Sequence, residues 1–349
     1  MYALRIASTD PAFNLALEET LFNSLGPENP GIFLIWRNAP SVIIGCHQNT
    51  AEEVNAAYCR EHGIAVVRRP TGGGAVYHDL GNVNFSFLVW VEKNRLAGFE
   101  AFMRPMVAAL RDLGVNAEYT SRNDITVNGR KVSGTAQRRS GQRMLHHGCL
   151  LVDVDTSELS NALAVDVEKF RSKGVASHRA RVANLREFLP AGLSGAQCMD
   201  MVIEAMTRRC ADEERTLDPA LREQAEALAN ARYRRWEWNW GQSPRFTEKR
   251  RHRFGWGRLE CLLDVRNGVI SGCRLFGDFF ALRDIRELET ILTGKRADAP
   301  SLRRALADVP VESWFSGARR EELLDMLCGD PVRDDKAQHA SSGSESEPS

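Results

Sequence analysis

The sequence predicts an α/β (α+β) fold, in which a mixed, largely antiparallel sheet carries flanking helices and a small α+β domain follows. Three observations support this prediction. Short apolar runs rich in β-branched residues are bounded by turns, and two of these turns are Asn-Gly hairpins. Helical stretches lie between the runs. After about residue 245 the strand–turn–strand pattern starts again, and short helical stretches follow it to about Cys328.

The individual elements follow from local pattern. The first helix is predicted over residues 10–25, where apolar side chains recur at every fourth position and Asp10-Pro11 supplies an N-cap and a first helical residue. Helices are also predicted at 50–63 and at 99–114, and Pro105 is expected to kink the latter. Strands are predicted at residues 31–38, 41–48, 64–69, 75–78, 83–91 and 144–155. A mostly helical stretch then extends to about residue 230.

Composition divides the chain into three parts. Residues 1–245 are predicted to form the main domain, and residues 246–329 a small accessory domain. Residues 330–349 contain almost no large apolar side chain, so burial cannot offset the entropy of ordering them. We expect this last part to be a disordered tail.

The charge balance excludes two classes of partner. The chain of 349 residues has 46 Lys plus Arg and 46 Asp plus Glu, so no charge excess indicates nucleic acid or a membrane surface. No apolar run reaches the roughly 20 residues that span a bilayer. The N-terminal stretch lacks a basic region and carries Asp10, Glu18 and Glu19, which argues against a targeting peptide. We expect a cytoplasmic protein that binds neither nucleic acid nor membrane.

The eight cysteines do not indicate a metal site. They are scattered, with no CxxC pair and no spacing typical of zinc ligands, so we interpret them as reduced thiols. His146 and His147 are adjacent in a predicted strand and would point to opposite faces, which makes joint ligation of a metal unfavourable.

The stretch "RNDITVNGRKVSGTAQ", residues 122–137, contains the first Asn-Gly hairpin. If Asn128-Gly129 is the two-residue loop, strand register follows from it. The predicted pairs are Val127–Arg130, Thr126–Lys131, Ile125–Val132 and Asp124–Ser133. Because side chains alternate between faces, Lys131 would share the less apolar face with Asp124, Thr126 and Ser133. A lysine beside an aspartate, among small residues that cannot cover it, raises the question of what the ammonium contacts.

The second Asn-Gly hairpin serves as an internal control. Around Asn267-Gly268 the predicted pairs are Arg266–Val269 and Val265–Ile270, with no lysine and no small-residue pocket. The Asn-Gly dipeptide therefore predicts a turn and nothing about function. The first hairpin is unusual because of the side chains on one face of its strands and not because of its turn.

The stretch "VVRRPTGGGAVYHDLGN", residues 66–82, has the composition of an anion-binding loop. Three consecutive glycines, Gly72, Gly73 and Gly74, let backbone N–H groups converge on a ligand, and Arg68 and Arg69 add planar guanidinium donors for phosphate or carboxylate. The run matches neither the Walker nor the dinucleotide-binding glycine pattern, and a purely structural turn is the alternative.

The residues after the glycines have two interpretations each. Tyr77 and His78 are candidates for chemistry, but a strand tyrosine is more often a packing residue and a lone histidine more often a satisfied structural donor. Asp79 before "LGN" is most simply a turn former.

Four blocks in this order resemble one family: "RRPTGGGAVYHDLGNVNFSF", "RNDITVNGRKVSGTAQ", "HHGCLLVDVD" and "WEWNWGQSPRF". They resemble lipoate–protein ligases of the biotin/lipoate ligase superfamily, of the bacterial two-domain type with a C-terminal accessory domain. The likeness covers roughly residues 5 to 325. It implies that residues 1–245 form the catalytic ligase domain.

The resemblance implies an ATP-dependent reaction in two steps. Lipoate and ATP, with Mg²⁺, give lipoyl-AMP and pyrophosphate, and the mixed anhydride then acylates a specific lysine. The implied acceptors are lipoyl domains of 2-oxo-acid dehydrogenase acyltransferase subunits and the glycine-cleavage H protein. The activity would serve lipoate scavenging.

The resemblance also implies which residues bind ATP and lipoate. By position, Lys131 falls on the catalytic lysine that contacts both the lipoate carboxylate and the α-phosphate. Asn123 and Asp124 fall on the adenylate side, and Asp124 is a candidate Mg²⁺ contact. The remaining predicted ligand-binding residues are Arg69, Gly72, Gly73, Gly74, Ala75, Val76, Tyr77, His78, Ser133 and His147.

Elementary electrostatics agrees with this assignment. A carboxylate that attacks an α-phosphorus must overcome repulsion between two anions, and a fixed ammonium within reach of both lowers that barrier. The apolar arm of lipoate is expected to lie along strand residues such as Val76 and the neighbours of His147. A solvated hairpin lysine is the alternative for Lys131.

Three alternatives stay open at this level. One is an octanoyl or lipoyl transferase that uses an acyl-cysteine; Cys149 is then the candidate nucleophile, although we favour a buried thiol there. Another is a transferase that accepts preformed acyl-AMP. The third is a catalytically inactive binding protein, which is disfavoured because Arg69, the glycines, Asp124 and Lys131 are all present.

Overall fold

The computed structural model describes residues 1–92, 98–120, 123–163, 182–241 and 246–328. The chain separates into two compact units, Met1–Ser243 and Pro244–Ser349. The predicted tail, residues 330–349, and the predicted boundary at residue 245 lie outside the described residues. Within the described part of the chain, no helix is both long and apolar enough to cross a bilayer.

The first unit is built on a mixed sheet of eight strands. In sheet order these are β11 (Glu213–Glu214), β1 (Tyr2–Arg5), β2 (Ile32–Trp36), β6 (Asn82–Trp90), β10 (Arg143–Leu151), β9 (Arg130–Ser140), β8 (Asp124–Val127) and β7 (Ala117–Thr120). Parallel pairing is confined to β11–β1–β2, and every other neighbouring pair is antiparallel.

A second, smaller sheet in this unit carries the glycine-rich segment. Its strands, in the order β4, β3, β5, are β3 (Ser41–Ile44), β4 (Ala65–Arg68) and β5 (Val76–His78). The glycines lie in the loop between β4 and β5. Both of these strands pair with β3, so the loop must cross the end of the central strand.

Helices cover both faces of the large sheet. Those of the first unit are α1 (Pro11–Ser24), α2 (Thr50–Glu53), α3 (Ala56–Glu61), α4 (Phe99–Asp112), α5 (Thr156–Ala162), α6 (Gly195–Cys210), α7 (Pro219–Leu228) and α8 (Trp236–Asn239). The described part of the first unit also has a 3₁₀ turn at Leu185–Phe188 and a π turn at Ala229–Tyr233. The helix predicted over residues 50–63 is therefore two short helices, because the chain is extended at Val54 between them.

Helix α1 begins as predicted and packs differently from the prediction. The Asp10 carboxylate accepts a hydrogen bond from the Ala12 N–H, and Pro11 is the first helical residue. The helix is not amphipathic, however, because twelve of its fourteen residues are buried. The buried set includes the carboxylates of Glu18 and Glu19, so this helix carries two acids into the interior.

The two faces of the large sheet belong to different cores. On the outer face, Phe33, Phe85 and Val132 pack with residues of α4 and α6. On the inner face, Leu34 and Leu145 pack with α1, α7 and side chains of the small sheet. Strand alternation separates the two sets, so a residue's position along its strand decides which core it enters.

The second unit is described by itself. It holds an antiparallel sheet of three strands, in the order β12 (Glu248–Phe254), β13 (Gly257–Arg266) and β14 (Val269–Gly277). Its helices are α9 (Ile285–Leu292), α10 (Ala299–Ala305), a 3₁₀ turn at Val311–Ser313, and α11 (Arg320–Cys328). One apolar cluster joins one face of the sheet to these helices. The predicted mixed α/β fold with a small α+β unit is confirmed.

Candidate active site

The first Asn-Gly hairpin joins β8 to β9. Asn128 and Gly129 have φ angles of 52° and 74°, as the predicted two-residue loop requires. The observed pairs are Val127–Arg130, Thr126–Lys131, Ile125–Ser133 and Asp124–Gly134. The first two pairs were predicted. The other two differ because a β-bulge at Val132 adds one residue to β9.

Lys131 and Asp124 form an ion pair in this hairpin. The ammonium Nζ lies 2.7 Å from Asp124 Oδ1, with 40% of the Lys131 side chain exposed. Gly134, the cross-strand partner of Asp124, makes room for the lysine, because a Cβ at Gly134 would lie 3.3 Å from Nζ. The ammonium is therefore held over a glycine on the inner face and is still accessible.

The bulge also decides the face of Ser133. Directly opposed residues share a face, and Ile125, the partner of Ser133, is buried in the outer core. The Ser133 hydroxyl is buried and has no hydrogen-bond partner among the described residues. The prediction that Ser133 shares a face with Lys131 is wrong, and we leave its side chain out of the candidate site.

Asn123 is held at the start of the same hairpin. Its side-chain amide donates to the Thr135 carbonyl at 3.1 Å, and its carbonyl accepts from the Thr135 N–H at 3.0 Å and hydroxyl at 3.1 Å. These bonds hold the backbone that leads into Asp124. A role of Asn123 as a ligand contact stays a prediction.

Cross-strand pairing places Asp124 at the end of a row of residues that crosses the inner face of the sheet. The successive cross-strand partners are Asp124, Gly134, Cys149, Asn84 and Trp36. A second row, beside the first, is Ala136, His147, Ser86 and Leu34. Short side chains fill the β9 and β10 end of the first row. We call the inner-face surface along these two rows, from the Lys131 ammonium onwards, the trough.

The glycine loop is tied down by Arg69. The guanidinium of Arg69 donates to the carbonyls of Ile43, Gly72 and Gly74 at 2.7–3.0 Å, and its Nε donates to the Thr71 hydroxyl at 3.0 Å. Arg69 is only 6% exposed, and burial lowers its pKa to about 10, which leaves it charged at neutral pH. Most of its donors thus hold the loop, and direct contact with a ligand stays a prediction.

The three glycines have different surroundings. Gly73 has a φ of 91°, which favours glycine. Its carbonyl oxygen lies so close to Gly45 that a Cβ on Gly45 would be 2.1 Å from this oxygen. Gly72 is buried, whereas Gly74 is exposed and a Cβ on it would meet nothing within 4 Å. Gly74 and the half-buried Ala75 therefore form the open part of the loop.

Arg68 does not belong to the anion-binding surface. It is 1% exposed, and its donors are used by the carbonyls of Gly45, Gln48 and Trp238 and by the Thr50 hydroxyl, among other contacts. The expectation that Arg68 offers its guanidinium to an anion is wrong. It instead anchors β4 to the preceding loop and to α8.

His78 is fixed as a neutral donor by a chain of buried amides. The Asn14 Nδ2 donates to the carbonyls of Ser8 and Arg37 and to Asn38 Oδ1, so Asn38 must present its Nδ2 to His78 Nδ1 at 3.2 Å. Burial, reinforced by Arg69 and His147, lowers the pKa of His78 to about 3. The ring proton therefore resides on Nε2.

His147 connects helix α1 to the glycine loop. Its Nδ1 lies 2.9 Å from both carboxylate oxygens of Glu18, which is fully buried and also accepts from the Ser86 hydroxyl at 2.5 Å. Its Nε2 lies 2.8 Å from the Thr71 hydroxyl, the same group that accepts from Arg69. A continuous polar chain thus runs from α1 through β10 to Arg69.

Alternation in β5 separates the remaining predicted residues. Val76 packs with the inner core, and His78, two residues on, shares that face. Tyr77 is buried in a different cluster with Val42 and Ile44, and burial raises its pKa. The side chain of Tyr77 therefore packs away from the trough, which is the structural alternative named for it above.

Cys149 lies in the first row, and its thiol is not activated as a nucleophile. Burial raises the pKa of its thiol, and the nearby Lys131 and Arg69 oppose the shift without reversing it. A thiol that stays protonated is a poor nucleophile. This favours the buried-thiol interpretation over an acyl-cysteine.

Sequence reasoning missed several residues of this site. Glu18, Thr71, Gly134 and Asn84 all line or support the trough. Glu18 had a signal, because two adjacent acids in an otherwise apolar helix need partners when the helix is buried. Gly134 and Asn84 had none, since only cross-strand register brings them into the row of Asp124.

Comparison with known proteins decides the family. Residues 10–207 match the lipoyl protein ligase A/B catalytic domain, and residues 243–327 match the bacterial lipoate protein ligase C-terminus. Lipoate–protein ligase 1 of Staphylococcus aureus is 41% identical over 319 residues, which cover 91% of this chain and 97% of that protein. The lipoate–protein ligase LplJ of Bacillus subtilis is 39% identical over 321 residues, 91% of this chain and 97% of that protein.

This chain belongs to the lipoate–protein ligase family. The resemblance found in the sequence is confirmed, as is its implication that the chain is a ligase.

Solved structures agree with this membership. LipL1 of P. falciparum, crystallised with lipoate, matches with a TM-score of 0.74 at 27% identity, over 93% of this chain and 97% of that one. A lipoate–protein ligase A bound with ATP matches with a TM-score of 0.58 at 28% identity, over 69% and 99%. A bipartite ligase from Thermoplasma acidophilum, studied with its E2 lipoyl domain, has a TM-score of 0.63 at 32% identity, over 70% and 97%.

Proposed function

We propose that this chain activates lipoate with ATP to lipoyl-AMP and pyrophosphate, and then transfers the lipoyl group to a lysine of an acceptor protein. The single observation that carries the mechanism is the Lys131 ammonium, held by Asp124 at 2.7 Å over Gly134 and still accessible. Family membership supports the reaction class, and relatives solved with lipoate and with ATP support both substrates.

In the first step the carboxylate of lipoate attacks the α-phosphorus of ATP. A P–O bond forms, the bond to pyrophosphate breaks, and pyrophosphate leaves with the electron pair. Two anions must approach each other, so a cation between them stabilises the transition state. Lys131 supplies this charge, and Asp124 keeps the ammonium from turning into solvent.

The glycine loop provides the phosphate side of the site. Gly74 and Ala75 are the open part of the loop, and Arg69 fixes the carbonyls on both sides of Gly73. Backbone N–H groups in such a loop can bind adenylate oxygens without moving. The apolar arm of lipoate lies along Val76, whose neighbours in the inner core include Leu145.

Asp124 fits a role in binding Mg²⁺. Protein sites usually hold this ion with one or two carboxylates together with substrate phosphates and water. Asp124 is a single carboxylate beside the ammonium, with 31% of its side chain exposed, and it could hold the ion only together with ATP. The ion, when bound, would neutralise charge on the leaving pyrophosphate.

Lipoyl domains of 2-oxo-acid dehydrogenase acyltransferase subunits and the glycine-cleavage H protein are the proposed acceptors. The archaeal relative studied with its E2 lipoyl domain supports the first class. Acylation requires the acceptor lysine to reach the mixed anhydride, and the exposed Lys131 end of the trough is the side open to a bulky partner.

Mass spectrometry of a lipoyl domain tests the function. The domain is incubated with this protein, lipoate, ATP and Mg²⁺, and it should gain the mass of one lipoyl group. Reactions lacking ATP, or containing H protein in place of the lipoyl domain, run in parallel. No mass gain on either acceptor, together with no release of pyrophosphate, would contradict the proposal.

An acyl-cysteine transferase is the competing function, and it makes opposite predictions. It needs no ATP when given an acyl donor, and it loses nearly all activity in Cys149→Ala. The raised pKa of Cys149 favours the ligase. We expect Cys149→Ala to keep most of its pyrophosphate release and most of its lipoyl transfer.

A further inference from the structure

Asn84 is a buried amide with an unused donor in the first row of the trough. The residue is 1% exposed, and its Nδ2 has no hydrogen-bond partner among the described residues. Buried polar groups in proteins are nearly always paired, so an unpaired one needs an explanation. A group that awaits a ligand is one such explanation.

The orientation of this amide is fixed by its neighbours. The Asp79 N–H donates to Asn82 Oδ1 at 3.0 Å, and a backbone N–H can only donate. Asn82 must therefore present its Nδ2 to Asn84 Oδ1, which lies 3.0 Å away. Rotating the Asn84 amide would break this bond. Its two N–H donors are thus left on the side away from Asn82.

Register places these donors in line with the Lys131 ammonium. From β9 to β6 the row is Gly134, Cys149 and Asn84, and Nζ of Lys131 lies above Gly134. Neighbouring strands are about 4.8 Å apart, so the backbones of Gly134 and Asn84 lie on either side of Cys149, roughly 10 Å from each other. A carboxylate with a hydrogen bond of about 2.9 Å at each oxygen fills most of that span.

We propose that Asn84 binds the second oxygen of the acyl substrate's carboxyl group, opposite Lys131. The proposal rests on the function proposed above. One carboxylate oxygen attacks phosphorus beside Lys131, and the other becomes the carbonyl oxygen of lipoyl-AMP. Asn84 donates to this second oxygen throughout.

The same contact acts in the transfer step. The acceptor amine forms a bond to the acyl carbon, the bond to AMP breaks, AMP leaves with the electron pair, and the nitrogen gives up one proton to water. Negative charge builds on the carbonyl oxygen before AMP departs. A fixed N–H donor at that oxygen stabilises the transition state, as donors in oxyanion holes do. Asn84 is therefore a catalytic residue in both half-reactions.

Asn84→Asp is the sharpest test, because it keeps the acceptor that Asn82 needs and removes both donors. Asn84→Ala removes the amide without adding charge. Two rates are measured, pyrophosphate release from lipoate and ATP, and transfer from synthetic lipoyl-AMP to a lipoyl domain. We expect both rates to fall roughly 10- to 100-fold in each variant, with ATP affinity unchanged.

Asn55→Ala is the matched control. Asn55 caps α3 by accepting from the Tyr58 N–H, so this variant loses an asparagine with a purely structural role. It measures how much a loss of melting temperature alone changes the rates. The proposal would be overturned if either Asn84 variant keeps both rates within threefold of the wild-type rates. It would also be overturned if, at equal melting temperature, the loss of rate in the Asn84 variants is no larger than the loss in Asn55→Ala.

Failure of the proposed function is distinguishable from failure of this inference. If the wild-type protein releases no pyrophosphate, the proposed ligase function is contradicted. In that case calorimetric titration with lipoate and with octanoate compares wild type and Asn84→Asp. Equal affinities, or no binding of either acid to wild type, would contradict a carboxyl-binding role for Asn84.

Discussion

The two Asn-Gly hairpins of this protein share one backbone and differ in chemistry. Asn128 and Asn267 have φ angles of 52° and 51°, and the glycine that follows each has 74°. Both hairpins keep two regular pairs beyond the turn and then bulge at the same point of the second strand, at Val132 in one and at Ser271 in the other. The turn and the bulge are therefore properties of the local pattern.

The side chains at equivalent positions are opposite in character. Lys131 of the first hairpin corresponds to Ile270 of the second, which is fully buried. The Asp124–Gly134 pair corresponds to Leu263–Cys273, which lies in the core of the second unit. The second hairpin uses this face to build a core, whereas the first exposes an ammonium over a glycine.

The candidate site therefore depends on the side chains of the hairpin and not on its turn. Both hairpins have the same backbone. Three side chains on one face differ in character, at the positions of Lys131, Asp124 and Gly134, and these differences make the first hairpin a candidate site. The comparison also shows that a side chain at the position of Gly134 is compatible with the backbone, because Cys273 carries one there.

Removing the ammonium should have the largest effect. In Lys131→Ala, the charge between carboxylate and phosphate is lost, and we expect pyrophosphate release to slow by roughly 10²- to 10³-fold. Initial rates at saturating lipoate and ATP measure this. A variant with the wild-type rate would show that the first hairpin, like the second, is only structural.

Gly134→Ala should displace the ammonium without disturbing the fold. The new Cβ would lie 3.3 Å from Lys131 Nζ, and the lysine end is free enough to move. Because misplacing a catalytic group by about 1 Å can cost about 100-fold, we expect a rate loss of up to that size. Melting temperature should stay near that of wild type, and a large drop in it would contradict this account.

Acidification should weaken the first unit more than the second through histidine. Burial lowers the pKa values of His78 and His146 to about 3, against about 6.5 in an unfolded chain. The unfolded state therefore binds more protons between these values, so stability is full above about pH 6.5 and falls as pH decreases. In the second unit His252 is exposed, and it is the one histidine there that the structure describes.

Urea unfolding at pH 7 and pH 5 measures this loss, which we expect to be on the order of 2 kcal/mol for each buried histidine. His146→Gln should flatten the dependence, because it removes one titrating group. His62→Gln is the control, since His62 is exposed and stacks on Tyr58. Equal slopes in wild type and His146→Gln would contradict the assignment.

Arg266→Ala should have the smallest effect. Arg266 pairs with Asp264 beside the second turn, but its side chain is 75% exposed, and such pairs contribute little. We expect less than about 0.5 kcal/mol of change in unfolding free energy and no change in lipoyl transfer. A loss of activity comparable to that of Lys131→Ala would remove the distinction between the hairpins.

Much of the site could be predicted from sequence because its signals are local. The Asn-Gly turn fixed which residues start the hairpin, and its first two pairs were predicted. Composition alone indicates the glycine run and the adjacent Arg69 as a candidate anion-binding loop, and ligand binding there stays a prediction. The four blocks in order gave the family, which the comparisons confirm.

Errors arose where distant segments decide the outcome. The predicted register of Ser133 assumes regular pairing beyond the turn, and the bulge at Val132 moves this side chain to the other face. Arg68 was expected to face an anion, but carbonyls from the preceding loop and from α8 use its donors. Tyr77 packs into a different cluster from its neighbour His78, which agrees with the packing alternative, while a ligand contact of its backbone stays a prediction.

The turns, the order of strands and helices, the open glycine loop and the family can all be inferred from the amino-acid sequence alone. These follow from backbone preferences and short motifs, which act between residues close together in the chain. Three other features depend on the packing of distant segments: Lys131 lies over Gly134, Glu18 reaches the glycine loop through His147, and Asn84 keeps an unused donor. Those facts depend on which strands lie side by side, and hydrogen-bond pairing across a sheet joins residues that the sequence separates by tens of positions.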